Sequence, residues 1–289
     1  MTARRVLLTG ATGLIGRQCV RPLEEAGFAV VAASRGRGDD LLADPEAVVA
    51  RAGAEYLVHL AWHDGAKDRW SAPANLDWVG ASLRLLRAFS ACGGRRAVMA
   101  GSCAEYDWTG AGYLTEDAPL RPATLYGAAK AATGIAAVAG APALGVSLAW
   151  ARVFFAYGPG EPEGRLFGDI LKGLAAGREV ACTDGLQRRD FLHTADIGRA
   201  LVSLLVSGAE GPVNVGSGRA VPVREMILAL ARAMGGEGLI RLGARPRPAN
   251  DPALIEADVT RLSRETGFRP AFDMESGIRA VLAAEGVAA

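Results

Sequence analysis

Lysine, histidine and cysteine are scarce in this chain of 289 residues, and each shortage excludes a class of function. Of the three histidines, His59 and His63 stand four apart but fall in a post-strand loop with no third ligand at hand, so no metal is expected. The four cysteines, Cys19, Cys92, Cys103 and Cys182, show no paired spacing. Reduced thiols in a cytoplasmic protein are expected, rather than a disulfide framework. Long apolar runs are missing as well, none approaching the ~18 residues that span a bilayer. The run near the start is cut by a glycine-rich turn, and no targeting signal is read. Charge of one sign is also lacking. The 32 basic residues face 31 acids for a net charge of +1, no footprint for nucleic acid or an anionic membrane.

What the chain has is apolar bulk and glycine. It is 50% hydrophobic with 37 glycines and 6% aromatics, the make-up of a globular core of alanine, valine and leucine. Short β-rich runs at 6–8, 28–33, 56–60, 97–100 and 146–152 alternate with helical spacing at 14–26, 76–89 and 124–138. That alternation predicts an α/β fold: a Rossmann-type doubly wound parallel sheet with a smaller, interrupted C-terminal substrate domain. Pro22 is expected to kink the first helix, and Leu76, Val79, Leu83, Leu86 and Phe89 recur as the apolar face of the next. The Gly- and Pro-dense stretch 156–165 marks a boundary or an active-site loop. Residues 1–155 are read as the first domain, with 189–216 returning to it. Segments 156–188 and 217–289 form the smaller one, with helices near 167–176, 196–206, 223–234 and 276–284.

The stretch 9–16 reads TGATGLIG, placing Gly10, Gly13 and Gly16 between the first strand and the first helix. Such glycines let the backbone approach a pyrophosphate, which sits at the helix N-terminus where unpaired N–H groups favour anions. Gly10, Gly13, Leu14, Ile15 and Gly16 are therefore cofactor-binding candidates, and 1–155 an NAD(P)-binding domain. The second strand ends in Ala33, Ser34 and Arg35 with no carboxylate until Asp39. A hydroxyl and a guanidinium suit a 2′-phosphate, so NADP(H) is expected over NAD(H).

Tyr126 and Lys130 stand four apart, stacked on one face of the predicted helix. A phenol with an ordinary pKa near 10 is a poor acid or base at neutrality, and a cation beside it favours the phenolate. Only five tyrosines and three lysines exist in the chain, so chance seldom pairs them at this spacing. Ser102 lies at the C-terminal end of a predicted strand, the sheet edge where ligands bind in open α/β folds. Ser102 can donate to a substrate carbonyl while Tyr126 moves the proton.

These residues resemble the extended short-chain dehydrogenase/reductases, within them the nucleotide-sugar epimerases, dehydratases and ketoreductases. TGATGLIG is similar to that family's TGxxGxxG, GSCAEY at 101–106 to its catalytic Ser/Thr motif, and YGAAK at 126–130 to its YxxxK. The likeness extends to His59, Leu60 and Ala61, Asn75, the YGPG at 157–160, the RDFLHTAD at 189–196, and Asn214 with Gly216. It implies that Leu60, Ala61 and Trp62 flank the cofactor together with Tyr126 and Lys130. It implies too that Arg189 and Arg247 hold a nucleotide diphosphate, and that the helices at 76–89 and 124–138 pair two copies into a homodimer.

Departures from the family pattern narrow the activity. Dehydratases resembling this chain carry acids directly after the catalytic Ser/Thr, where Cys103 and Ala104 stand here, and Glu105 one residue on is expected to point elsewhere. Many epimerases have asparagine where this chain has Phe155. The expectation is an NAD(P)H-dependent oxidoreductase reducing a keto group on a nucleotide-diphosphate sugar, such as an NDP-4-keto-6-deoxyhexose. Ser102, Cys103, Phe155, Arg189 and Arg247 would then meet the substrate. Cys103 itself reads as a buried inert thiol. Two alternatives stand beside this: a 4-epimerase using tightly bound NAD, and a non-catalytic NADPH-binding regulator.

Overall fold

The first six strands to form from this sequence are β1 (Arg4–Thr9), β2 (Phe28–Ala33), β3 (Tyr56–His59), β4 (Arg96–Ser102), β5 (Tyr113–Leu114) and β6 (Ser147–Val153). Between them run α1 (Val20–Glu25), α2 (Pro45–Ala52), α3 (Ala74–Ala91) and α4 (Leu125–Gly140). The computed structural model describes residues 4–63, 65 and 68–287. Side chains alternate across a strand, so Val6 and Leu8 enter one core with Leu23 while Leu7 enters another with Val49 and Phe89. Both faces of the sheet are therefore apolar and both are covered by helices.

The remaining elements are β7 (Phe155–Tyr157), α5 (Leu166–Ala175), β8 (Val180–Ala181), β9 (Arg188–His193), α6 (Thr194–Val206) and β10 (Gly211–Val215). After them come β11 (Ala220–Pro222), α7 (Val223–Ala233), β12 (Ile240–Arg241), β13 (Leu254–Ala257), α8 (Thr260–Thr266) and α9 (Met274–Ala284). The large sheet is parallel throughout with strand order β10-β6-β4-β3-β1-β2, a Rossmann-like doubly wound layer. Of the stretch 189–216, β10 lies in this sheet and α6 packs on it through Ile197, Leu201 and Leu204, whereas β9 runs in a second sheet of order β11-β9-β13-β5. A third core joins α5, α7 and α9 through Ile170, Leu230 and Val281.

Two local expectations give way. Pro22 does not kink a long helix. A 3₁₀ turn at Gly16–Gln18 comes first, and Pro22 then falls in the opening turn of the short α1, where its missing N–H needs no partner. On α3 the buried face is Trp78, Ser82, Leu85 and Phe89 with Leu86, while Leu76 is 60% exposed and Val79 and Leu83 half-buried. Apolar spacing alone did not separate the residues buried in the core from Leu76, Val79 and Leu83 at its margin.

Candidate active site

One cleft of about 1060 Å³ runs along the C-terminal edge of the large sheet and under the smaller sheet. Gly10, Gly13, Leu14, Ile15, Gly16, Ser34, Arg35, Leu60, Ala61 and Trp62 line it at one end. Ser102, Cys103, Tyr126, Lys130, Phe155 and Arg189 continue the lining. The turn after β1 is compact: a Cβ on Gly16 would lie 2.0 Å from the Gly10 carbonyl oxygen. The Thr9 hydroxyl accepts the N–H groups of Leu60 and Ala61 at 3.2 and 3.3 Å, tying the ends of β1 and β3 together. The turn closes on itself only with glycine at these positions, and a compact turn between a strand and a helix is one that suits the phosphates of a dinucleotide.

Tyr126 reaches the cleft because α4 presses on the turn after β4. Thr124 caps the helix, its hydroxyl accepting the Gly127 N–H at 3.1 Å, and a Cβ at Gly127 would stand 2.2 Å from the Ala104 carbonyl oxygen. Burial pushes the Tyr126 phenol up, and a hydrogen bond from Ser102 and the charge of Arg69 pull it back. Arg69 lines the cleft and was not singled out from the sequence. Lys130 is buried and turned to the Ala100 carbonyl at 2.8 Å, and burial brings its ammonium down to about 7.

Glu105 points away from the cleft into the interior. It accepts Ser102 N–H at 2.7 Å, Trp150 Nε1–H at 3.1 Å and Arg152 Nε–H at 2.9 Å, with the pair almost wholly buried. Strand alternation does not set this direction, since Glu105 lies beyond the end of β4. In the structure a 3₁₀ turn, Cys103–Glu105, turns it inward, closed at its N-terminal end by the reciprocal Ser102 and Glu105 bonds. Cys103 is buried, and burial pushes its thiol up.

At the far end Phe155 packs against Trp108 and Phe191 at ring separations of 6.3 and 6.0 Å, with the Arg189 guanidinium 5.6 Å from its ring. Arg189 donates to the carbonyls of Arg188 and Pro252 and pairs with Asp251. Arg247 does not reach the cleft. The N–H of Arg245 is bonded to the Cys182 carbonyl at 3.0 Å, which seats Arg245 in the lining, while Arg247 lies toward Asp184 at 3.9 Å.

An acid also lies at the glycine-turn end of the cleft. A 3₁₀ turn at Arg35–Arg37 folds the chain back, so that Asp39 lines the cleft beside Ser34 and accepts its N–H at 3.3 Å. A carboxylate does stand at the end of β2, against the expectation drawn from its distance in sequence.

Residues 6–216 match the model of the NAD dependent epimerase/dehydratase family. The chain belongs to that family. The epimerase/dehydratase relatives include a dTDP-glucose 4,6-dehydratase of Streptomyces griseus, 30% identical over 96% of this chain and 93% of its own. A dTDP-4-dehydro-6-deoxy-D-allose reductase of Streptomyces bikiniensis is 28% identical, covering 92% of each. Among solved structures, MoeE5 in complex with UDP-glucose and NAD superposes with a TM-score of 0.84 over 98% of both chains at 28% identity. Membership makes the chain an enzyme of the extended short-chain dehydrogenase/reductase type. No described helix is long and apolar enough to cross a membrane.

Proposed function

We propose that the protein reduces a keto group on a nucleotide-activated sugar, an NDP-4-keto-6-deoxyhexose being the substrate this reading names. The observation that carries it is the convergence of Ser102, Tyr126 and Lys130 on one cleft while Glu105, the acid nearest them in sequence, is committed to Arg152. A carbonyl oxygen can be held and protonated there. Elimination of a 6-hydroxyl would need a free carboxylate in place of Cys103 or Ala104.

In this reading Ser102 donates to the carbonyl oxygen, Tyr126 delivers its proton, and Lys130 holds the coenzyme ribose and supports Tyr126. A bound nicotinamide dinucleotide supplies the hydride, held by Gly10, Gly13, Leu14, Ile15, Gly16, Ser34, Arg35, Leu60, Ala61 and Trp62. Asp39 lines the cleft with one oxygen paired to Arg51 at 2.6 Å, and its other oxygen, toward Ser34, favours NAD(H), since it can accept from a ribose 2′-hydroxyl where a 2′-phosphate would be repelled. Arg189 and Arg245 supply positive charge to the diphosphate. A homodimer through α3 and α4 completes the reading, their outer faces carrying Leu76 and Ile135, each 60% exposed.

A 4-epimerase is the second reading, favoured by Asp39, because NAD retained through a cycle needs no exchange. The packed aromatic wall of Trp108, Phe155 and Phe191 speaks against it, since an epimerase must let a keto sugar turn its other face to the same carrier. Replacing Tyr126 with Phe tests the role of the phenol: turnover should fall roughly 10³-fold with coenzyme binding intact. Retained turnover would refute the assignment.

A further inference from the structure

The Nζ of Lys130 lies 3.7 Å from the centre of the Trp62 ring. The indole is fixed in its turn: its Nε1–H donates to Asn75 Oδ1 at 2.8 Å, and its ring stacks on Trp78 at a centroid separation of 6.1 Å. Asn75, fully buried, anchors the same loop by donating to the carbonyls of Arg69 and Ala72, both at 2.9 Å. An ammonium has three N–H groups. One goes to the Ala100 carbonyl and one side is covered by the indole face, which leaves the third direction for the cleft that Lys130 lines.

No carboxylate among the described residues forms an ion pair with Lys130. Two titratable groups act on it, His59 from β3 and Glu105 from the turn after β4, and Tyr126 stands four residues before it on the same helix. His59 is neutral, held by Thr9 and Ser82, and Glu105 is paired with Arg152. Glu105 still favours the ammonium by its charge, but the groups in contact are the Ala100 carbonyl and the negative ring face of the indole, and an aromatic face attracts a cation most strongly where water is excluded.

We propose that Trp62 is a positioning residue for Lys130, its ring face holding the ammonium charged and aimed into the cleft. The inference rests on the role given to Lys130 above, and extends it by naming what keeps that charge in a buried place. Burial already brings Lys130 down to about 7, so at neutral pH a weaker ring face tips it to the neutral form.

The scarcity of lysine makes the test direct. Protein labelled with ε-13C lysine gives three signals, from Lys67, Lys130 and Lys172, and Lys67→Arg and Lys172→Arg identify the third by elimination. Trp62→Leu should lower the Lys130 titration midpoint by about one pH unit, and Trp62→Phe, which keeps a ring face, should stay close to wild type. Should the leucine variant not fold, protein made with fluorinated tryptophan keeps the shape and weakens the ring face, and the midpoint should again fall. A midpoint unmoved in the folded leucine variant or in the fluorinated protein overturns the proposal. The alkaline limb of the turnover profile should move with the midpoint. A midpoint that moves without it supports the hold of Trp62 on Lys130 and overturns instead the catalytic role of Lys130.

Discussion

Glu105 accepts the backbone N–H of Ser102 through one oxygen and the guanidinium of Arg152 through the other. The acid nearest the candidate catalytic serine thus holds the end of β4 in place and is closed to substrate. Arg152 extends the arrangement, donating to the Tyr106 hydroxyl at 3.0 Å, which donates in turn to Asn214 at 2.6 Å. Glu105→Gln keeps the shape and leaves a buried guanidinium without its counter-charge. Removing one partner of a buried pair costs about 3 kcal/mol or more, so urea unfolding should show a loss of that size with turnover reduced as Ser102 loosens. An unchanged unfolding midpoint would show that the pair carries no such weight.

His59 gives the fold a pH dependence of known sign. Burial holds its imidazole down at about 3, against 6.5 when unfolded, so the unfolded chain takes up a proton that the folded one refuses. Stability from this group is complete above pH 6.5 and declines as pH falls toward 3, by about 1.4 kcal/mol per pH unit. Unfolding free energies at several pH values should therefore fall more steeply for wild type than for His59→Gln, by one proton. Parallel slopes would remove His59 from the account.

Asp39 sets the expected coenzyme. NADH should show the higher kcat/KM, and Asp39→Asn should shift the ratio toward NADPH by roughly tenfold, as expected when about 1.4 kcal/mol of repulsion is relieved. A wild-type preference for NADPH would restore Ser34 and Arg35 as the deciding residues.

The outer faces of α3 and α4 are expected to meet in a second copy. Leu76→Arg combined with Ile135→Arg should sediment as a monomer where the wild type sediments as a dimer. A monomeric wild type would contradict the homodimer.

What the sequence disclosed follows how local each signal is. Tyr126 and Lys130 share a helix face, and the glycine turn is a continuous stretch, so spacing alone found both. Asp39 was discounted because nothing in the order of residues shows the turn at Arg35–Arg37 bringing it back. Arg247 was named from the family resemblance, and the order of residues does not show the backbone bond to Cys182 that seats Arg245 in the cleft instead. The short α2 escaped notice although Asp44 caps it and Pro45 opens it, because Val48, Val49 and Ala52 are too few to show a period. The contact of Lys130 with Trp62 joins segments far apart in the chain, and only the fold displays it.

Most direct is incubation of the purified protein with a panel of nucleotide 4-keto-6-deoxy sugars and reduced coenzyme, following the loss of reduced-nicotinamide absorbance. The account predicts consumption of one reduced coenzyme per keto sugar, a product carrying a new hydroxyl, and none of this with Tyr126→Phe. Interconversion of nucleotide hexoses without added reductant, and no coenzyme consumed with any keto sugar, would contradict it.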